Sequence, residues 1–167
     1  MKTRHEYFLK LTDTYQFPIL EDDFELRHPT ERDLDNLGAL TLDSYRGTID
    51  YEGETLEESR EEMKESLKGR YGESLTACSW LLYAGTELTA ACLVVRWQGE
   101  KCAFITFVMT GSRWKGKGLA ALVLQSVLAS LKRSGFAEVR AVITDGNEPS
   151  ERLFRRAGFA WVEEAGD

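Results

Sequence analysis

The sequence predicts an α/β protein of the α+β type, with helices packed on one mixed central sheet. Three observations predict it. Apolar residues recur at helical spacing in two early segments, then the period shortens and three β-rich runs follow within residues 75–109. After them an apolar strand, a long helix and a second alternating strand succeed one another, which suits a parallel crossover pair. Finally, 167 residues fit one domain able to bury a proper core, and no repeat or second domain is visible.

The elements follow in order. Residues 1–20 read as an N-terminal extension, and residues 21–167 as the single domain. FELRHPT (24–30) is a short first strand that stops at Pro29. Thr30 is an N-cap, with Glu31 and Asp33 in the first turn and Leu34, Leu37 and Ala39 or Leu40 at helical spacing. Thr55-Leu-Glu-Glu58 has capping-box spacing and opens a second helix, whose stripe continues through Met63 and Leu67. Between these helices lies SYRGTIDYEGE (44–54), a loop suited to face a substrate. LTACSWLLYA, ELTAACLVVRW and KCAFITFVM are strands joined by GT and QGE, short enough for hairpins. A helix over 119–132 buries Leu124, Val127, Leu128 and Leu131 and ends at Gly135. AEVRAVITD (137–145) is a strand, a helix starting at Asn147 and Pro149 closes at Gly158, and FAWVEE is the last strand.

Composition excludes several classes. No apolar run approaches the roughly 18 residues of a membrane span. The N-terminus MKTRHEYFLKLTDTYQF lacks the apolar core of a signal peptide, so a cytoplasmic home and no membrane partner are expected. Cys78, Cys92 and Cys102 lie in apolar runs without a CxxC pair, which suits buried reduced thiols, and no metal site is visible. The net charge of −7 argues against nucleic acid as a partner. Its distribution is uneven. Residues 21–75 carry 17 acidic and 7 basic side chains, whereas residues 101–140 carry 7 basic and 1 acidic.

The basic segment contains GSRWKGKGLA (111–120), which closes a strand and opens the long helix. Glycines let the backbone approach a ligand, and the amides at a helix N-terminus attract anions. Lys115, Lys117 and Arg113 can add charge-assisted contacts. The loop nearly matches the P-loop pattern GxxxxGK[ST], but Gly118 stands where a hydroxyl would ligate Mg²⁺. The strand before it is fed by hairpins, and too little chain follows for a parallel nucleotide-binding sheet. The loop suits a pyrophosphate held without metal.

Strand, Lys115-Gly116-Lys117-Gly118-Leu119-Ala120, long helix, strand, then Asn147, Ser150, Leu153 and Gly158-Phe159 resembles the GCN5-related N-acetyltransferase (GNAT) family. The resemblance spans roughly residues 24–163. It implies a mixed sheet in the order strand, two helices, three strands, helix, strand, helix, strand, with strands 102–110 and 137–145 splayed apart. It implies acetyl-CoA as cosubstrate, with the amides of Lys115, Gly116, Lys117, Gly118, Leu119 and Ala120 on the pyrophosphate. Val108, Met109 and Thr110 would pair with the pantetheine arm, and Asn147, Ser150 and Phe154 would line its channel. Exposed strands in this architecture often pair, so a homodimer is a further expected partner.

The implied reaction moves an acetyl group from the thioester to a primary amine of a small molecule or peptide. A strand amide near Thr110 would hold the oxyanion. Two departures leave the catalytic residues unassigned. Phe154 stands where the family commonly has a proton-donating tyrosine, and AFITFVMT lacks the usual carboxylate base. On residue type alone, Tyr45, Tyr51 and Tyr71 are better explained as packing or rim aromatics. Asp43, Asp50, Glu52 and Glu54 around Tyr45 and Tyr51 suit a cationic amine. The alternative function is a non-catalytic acyl-CoA-binding module of the same fold.

Overall fold

The computed structural model describes residues 2–162. Seven strands form one sheet: β1 (Arg4–Lys10), β2 (Phe24–Arg27), β3 (Trp80–Ala84), β4 (Glu87–Arg96), β5 (Cys102–Thr110), β6 (Glu138–Thr144) and β7 (Ala160–Trp161). Four helices complete it: α1 (Leu34–Tyr45), α2 (Leu56–Leu67), α3 (Leu119–Arg133) and α4 (Glu148–Arg156). The spatial order is β2-β3-β4-β5-β6-β1-β7. Every neighbouring pair is antiparallel except β5 and β6, which are joined through α3 as a parallel crossover.

Local chemistry sets the helix starts. Thr30 and Asp33 form a capping box, but a 3₁₀ turn over Glu31–Asp33 precedes α1 proper. Thr55 and Glu58 form the second box and α2 begins at once. Asn147 caps α4, with Pro149 in its first turn. The first of the three β-rich runs, LTACSWLLYA, forms its strand later than its composition suggests. Thr76–Cys78 make a 3₁₀ turn, and the Ser79 hydroxyl donates to Leu75 O at 3.0 Å, so pairing starts only at Trp80.

Residues 2–20 are more than an extension packed on the body. Tyr7, Leu9 and Leu11 alternate into the core, and β1 pairs with β6 along its whole length and with β7 on its other edge. The last strand covers only Ala160–Trp161, with Phe159 and Val162 outside it; Glu163 and Glu164 of its expected span lie outside the described residues.

The sheet carries a core on each face. Leu124, Val127, Leu128 and Leu131 of α3 and Phe154 of α4 pack on one, and Leu37, Leu40 and Met63 of α1 and α2 on the other. One bulge decides how the strands serve the site. Leu93 pairs with Phe107 and Val94 with Ile105, which leaves Thr106 as an extra residue in β5. Its hydroxyl donates to Leu93 O at 3.2 Å. Ile105 therefore faces the α3 core, while Phe107 and Met109 face α1 and α2. The parallel ladder between β5 and β6 ends at Phe104 and Arg140, just before the bulge. Beyond it the two strands diverge, as the expected splay requires.

Candidate active site

The glycine loop sits where the diverging strands open. Gly116 and Gly118 adopt φ of 79° and 78°, the left-handed region that other residues enter at a cost of about 1–2 kcal/mol. No atom lies within 4 Å of where a Cβ would stand on either glycine, so the backbone faces open space. The first helical bond of α3 runs from Leu122 N to Gly118 O. The amides of Leu119, Ala120 and Ala121 thus lack helical partners. No side chain caps this end, and its first turn holds no acidic residue. The positive end of the α3 dipole is left for an anion.

The C-terminus of α1 clamps this loop. Asp43 accepts from Ser112 N at 2.7 Å and from the Ser112 hydroxyl at 2.9 Å. Ser44 Oγ accepts from Thr110 N at 3.3 Å, and Lys115 Nζ donates to Ser44 O at 3.2 Å. Lys115 therefore satisfies a carbonyl in the last turn of α1.

A cavity of about 670 Å³ opens in front of the loop, in the range of small-molecule sites. Val108, Thr110, Lys115, Gly116, Gly118, Leu119, Ala120, Asn147 and Ser150 line it. Three expected residues do not. Met109 lies on the opposite face of β5, where its sulfur accepts from the Thr41 hydroxyl at 3.1 Å. Lys117 is exposed. Phe154 is buried in the core, edge-on to Phe159 with ring centroids 5.0 Å apart. Helical geometry explains this, because Pro149, Leu153 and Arg156 form the cavity-facing stripe of α4 and Phe154 points off it. Arg113 is also engaged elsewhere, 3.3 Å from Glu87.

Two contributions were missed by sequence reasoning. Arg152 and Arg156 line the cavity from α4, and their four-residue spacing was the available sign. Tyr15 lines it from the N-terminal segment, which is tied to α3 by Gln125 Nε2 donating to Gln16 O at 2.6 Å.

A second cavity of about 370 Å³ lies on the α1–α2 side of the diverging strands. Thr106 and Phe107 of β5, Val142 and Thr144 of β6, and the carboxylates Asp50, Glu52, Glu54 and Glu62 line it. Asp50 accepts from Asn147 Nδ2 at 2.9 Å, joining a wall residue of each cavity. Asn147 Oδ1 also accepts from Ser150 N at 3.3 Å, so one N–H and one oxygen lone pair of this side chain are used in holding the divide. Tyr45 lines both cavities. Burial, then the charges of Asp50 and Glu62, hold its hydroxyl far above the ordinary tyrosine range.

The three thiols are buried and free. Among the described residues no cluster of His, Cys, Asp or Glu could hold a metal ion, and no helix is long and apolar enough to cross a membrane.

This arrangement of diverging parallel strands, glycine loop and α3 is the one that the resemblance to the GNAT family implies. The chain is similar in fold to a GCN5-related N-acetyltransferase from Sphaerobacter thermophilus, at 18% identity and a TM-score of 0.74, covering 96% of this chain and 49% of that one. It thus spans about half the length of that protein. It is also similar to an acetyltransferase from Thermus thermophilus, at 22% identity and a TM-score of 0.67, covering 86% and 90% of the two chains. The ribosomal-protein-S18-alanine N-acetyltransferase of Escherichia coli shares the fold at 13% identity and a TM-score of 0.65, covering 84% and 79%. No curated protein sequence matches. The model of the acetyltransferase (GNAT) family matches residues 35–159, and the chain belongs to that family.

Proposed function

We propose that the protein transfers an acetyl group from acetyl-CoA to a primary amine by direct attack in a ternary complex. The observation that carries this reading is the uncapped α3 N-terminus, with two left-handed glycines, opening on a cavity between strands that have stopped pairing. Amides of residues 116–121 would hold the pyrophosphate, with Arg152 and Arg156 adding charge. The unpaired edge of β5 beyond Phe104 would bond the pantetheine amides. Acetyl-CoA supplies the activated acyl group, since its thiol is a tolerable leaving group. Ser44, whose oxygen accepts the Thr110 amide proton, keeps its own O–H to donate to the carbonyl oxygen as charge develops there.

The acceptor would enter through the second cavity. Asp50, Glu52, Glu54 and Glu62 there favour a cation, such as a polyamine, an aminoglycoside or a peptide amine. The amine must lose a proton before attack, to one of these carboxylates or to water. A panel of spermidine, an aminoglycoside and a peptide with a free N-terminus tests the reading through acetyl-CoA consumption. Neutralising Glu52 and Glu54, which line only the second cavity, should raise KM for the amine and leave that for acetyl-CoA unchanged.

The burial of Phe154 away from the cavity favours a second reading, an acyl-CoA-binding module without catalysis. Tight acetyl-CoA binding without turnover across the whole panel would support it.

A further inference from the structure

We propose that Tyr45 is the proton donor to the leaving thiolate, the role that Phe154 is not placed to fill. The inference rests on the reading of the larger cavity as the acetyl-CoA site. Four observations carry it.

Position is the first. Tyr45 lines both cavities, so its side chain stands between the cofactor and acceptor sides of the divide. Its backbone is held there by neighbours: Ser44 is bonded to Thr110 N and to Lys115 Nζ, and Asp43 to Ser112. Availability is the second. The hydroxyls of Tyr51 and Tyr71 donate to Glu54 O at 3.3 Å and to Glu62 Oε1 at 3.0 Å, and the Thr48 hydroxyl donates to Tyr45 O at 2.7 Å. The Tyr45 hydroxyl makes no hydrogen bond to a described residue. Third, Phe154 has no proton to give and is packed against Phe159. Tyr15 lines the larger cavity alone and does not reach the acceptor side.

The fourth is the charge environment. Asp50 and Glu62 face Tyr45 from one side, and Lys115, Arg152 and Arg156 line the other cavity. Burial and these carboxylates keep the hydroxyl protonated and make a free tyrosinate costly. The proton given up must therefore be returned in the same event. The amine nitrogen forms its bond to the acetyl carbon, and the carbon–sulfur bond breaks. The Tyr45 O–H proton passes to sulfur while the proton shed by the nitrogen passes to the Tyr45 oxygen. The products are the neutral amide, the CoA thiol and an unchanged tyrosine.

The test uses CoA itself, whose thiol is the product of the step. Thiolate absorbance of saturated CoA complexes is titrated against pH for the native protein, Tyr45→Phe and Tyr15→Phe, with each ligand-free protein subtracted. A hydrogen bond donated to the thiolate lowers the thiol pKa. Tyr45→Phe should bind CoA within about threefold of native, while its bound thiol titrates at least about one unit higher, a tenfold loss of thiolate at a given pH. Tyr15→Phe should titrate as native. With any acceptor from the panel, kcat of Tyr45→Phe should fall about 10²-fold or more at unchanged acetyl-CoA KM. Identical thiol titrations in native and Tyr45→Phe complexes would overturn the donor role, as would loss of CoA binding in Tyr45→Phe alone. Failure of the native protein to bind CoA would overturn the acetyl-CoA reading itself, and the inference with it.

Discussion

Asp43 accepts both the backbone amide and the hydroxyl of Ser112, at 2.7 and 2.9 Å, and so ties the end of α1 to the start of the glycine loop. These bonds involve an ionised acceptor and are stronger than neutral ones, although Asp43 is solvent-exposed and screened. Asp43→Ala should free the loop and weaken acetyl-CoA binding roughly 3–10-fold, equivalent to about 1 kcal/mol. Asp43→Asn, which keeps one acceptor oxygen, should lose less. Calorimetry on the two variants measures the difference; equal affinity in Asp43→Ala and native protein would show that the tie does not preorganise the loop.

Helices α1 and α2 touch through Gly38. A Cβ there would stand 2.8 Å from Arg60 Cα and 2.9 Å from its Cβ, so backbone would have to move. Gly38→Val should destabilise the fold by about 1–3 kcal/mol, lowering Tm by ~2–12 °C. Ala39→Val, on the exposed side of the same helix, should stay within about 0.5 kcal/mol. Thermal melts of the pair test the contact, and equal Tm values would contradict it.

Stability should fall at alkaline pH. Burial pushes the Cys92 thiol far above its ordinary range; burial, then Glu138, pushes Cys102 up to about 11. The Tyr83 hydroxyl is raised by burial and by its 2.6 Å bond to Asp33. In the unfolded chain thiols lose protons near about pH 8.5 and tyrosines near about 10. Above those values the folded state binds more protons than the unfolded one, so stability declines as pH rises. Guanidinium midpoints between about pH 7.5 and about pH 10 should fall, and less steeply in Cys92→Ala. A flat profile would refute the linkage.

Most of the framework was legible because local chemistry specified it. Thr55 and Glu58, Asn147 and Pro149, and the two short hairpin turns each fix an element boundary within a few residues of chain. The glycine loop was legible for the same reason. What stayed hidden depends on pairing across long separations. Strand β1 shows alternation at Tyr7, Leu9 and Leu11, but Phe8 interrupts it, and only its ladder to β6 makes it a strand. The bulge at Thr106 has no composition of its own, yet it decides which residues of β5 face which cavity. Phe154 was assigned by its place in a motif; its burial follows from the rotation of α4, which Pro149, Leu153 and Arg156 set together. Tyr45, set aside on residue type, became a candidate only when the two cavities were seen to share it.

The central claim is that the open α3 N-terminus binds the pyrophosphate of acetyl-CoA. Calorimetric titration of acetyl-CoA into native protein and Gly118→Glu tests it most directly, with Mg-ATP as the control ligand. The native protein should give saturable binding of acetyl-CoA and none of Mg-ATP. Gly118→Glu, which places a carboxylate and a strained φ where the backbone turns toward the anion, should bind at least about tenfold more weakly while keeping its helical circular dichroism. No acetyl-CoA binding by the native protein, or undiminished binding by folded Gly118→Glu, would contradict it.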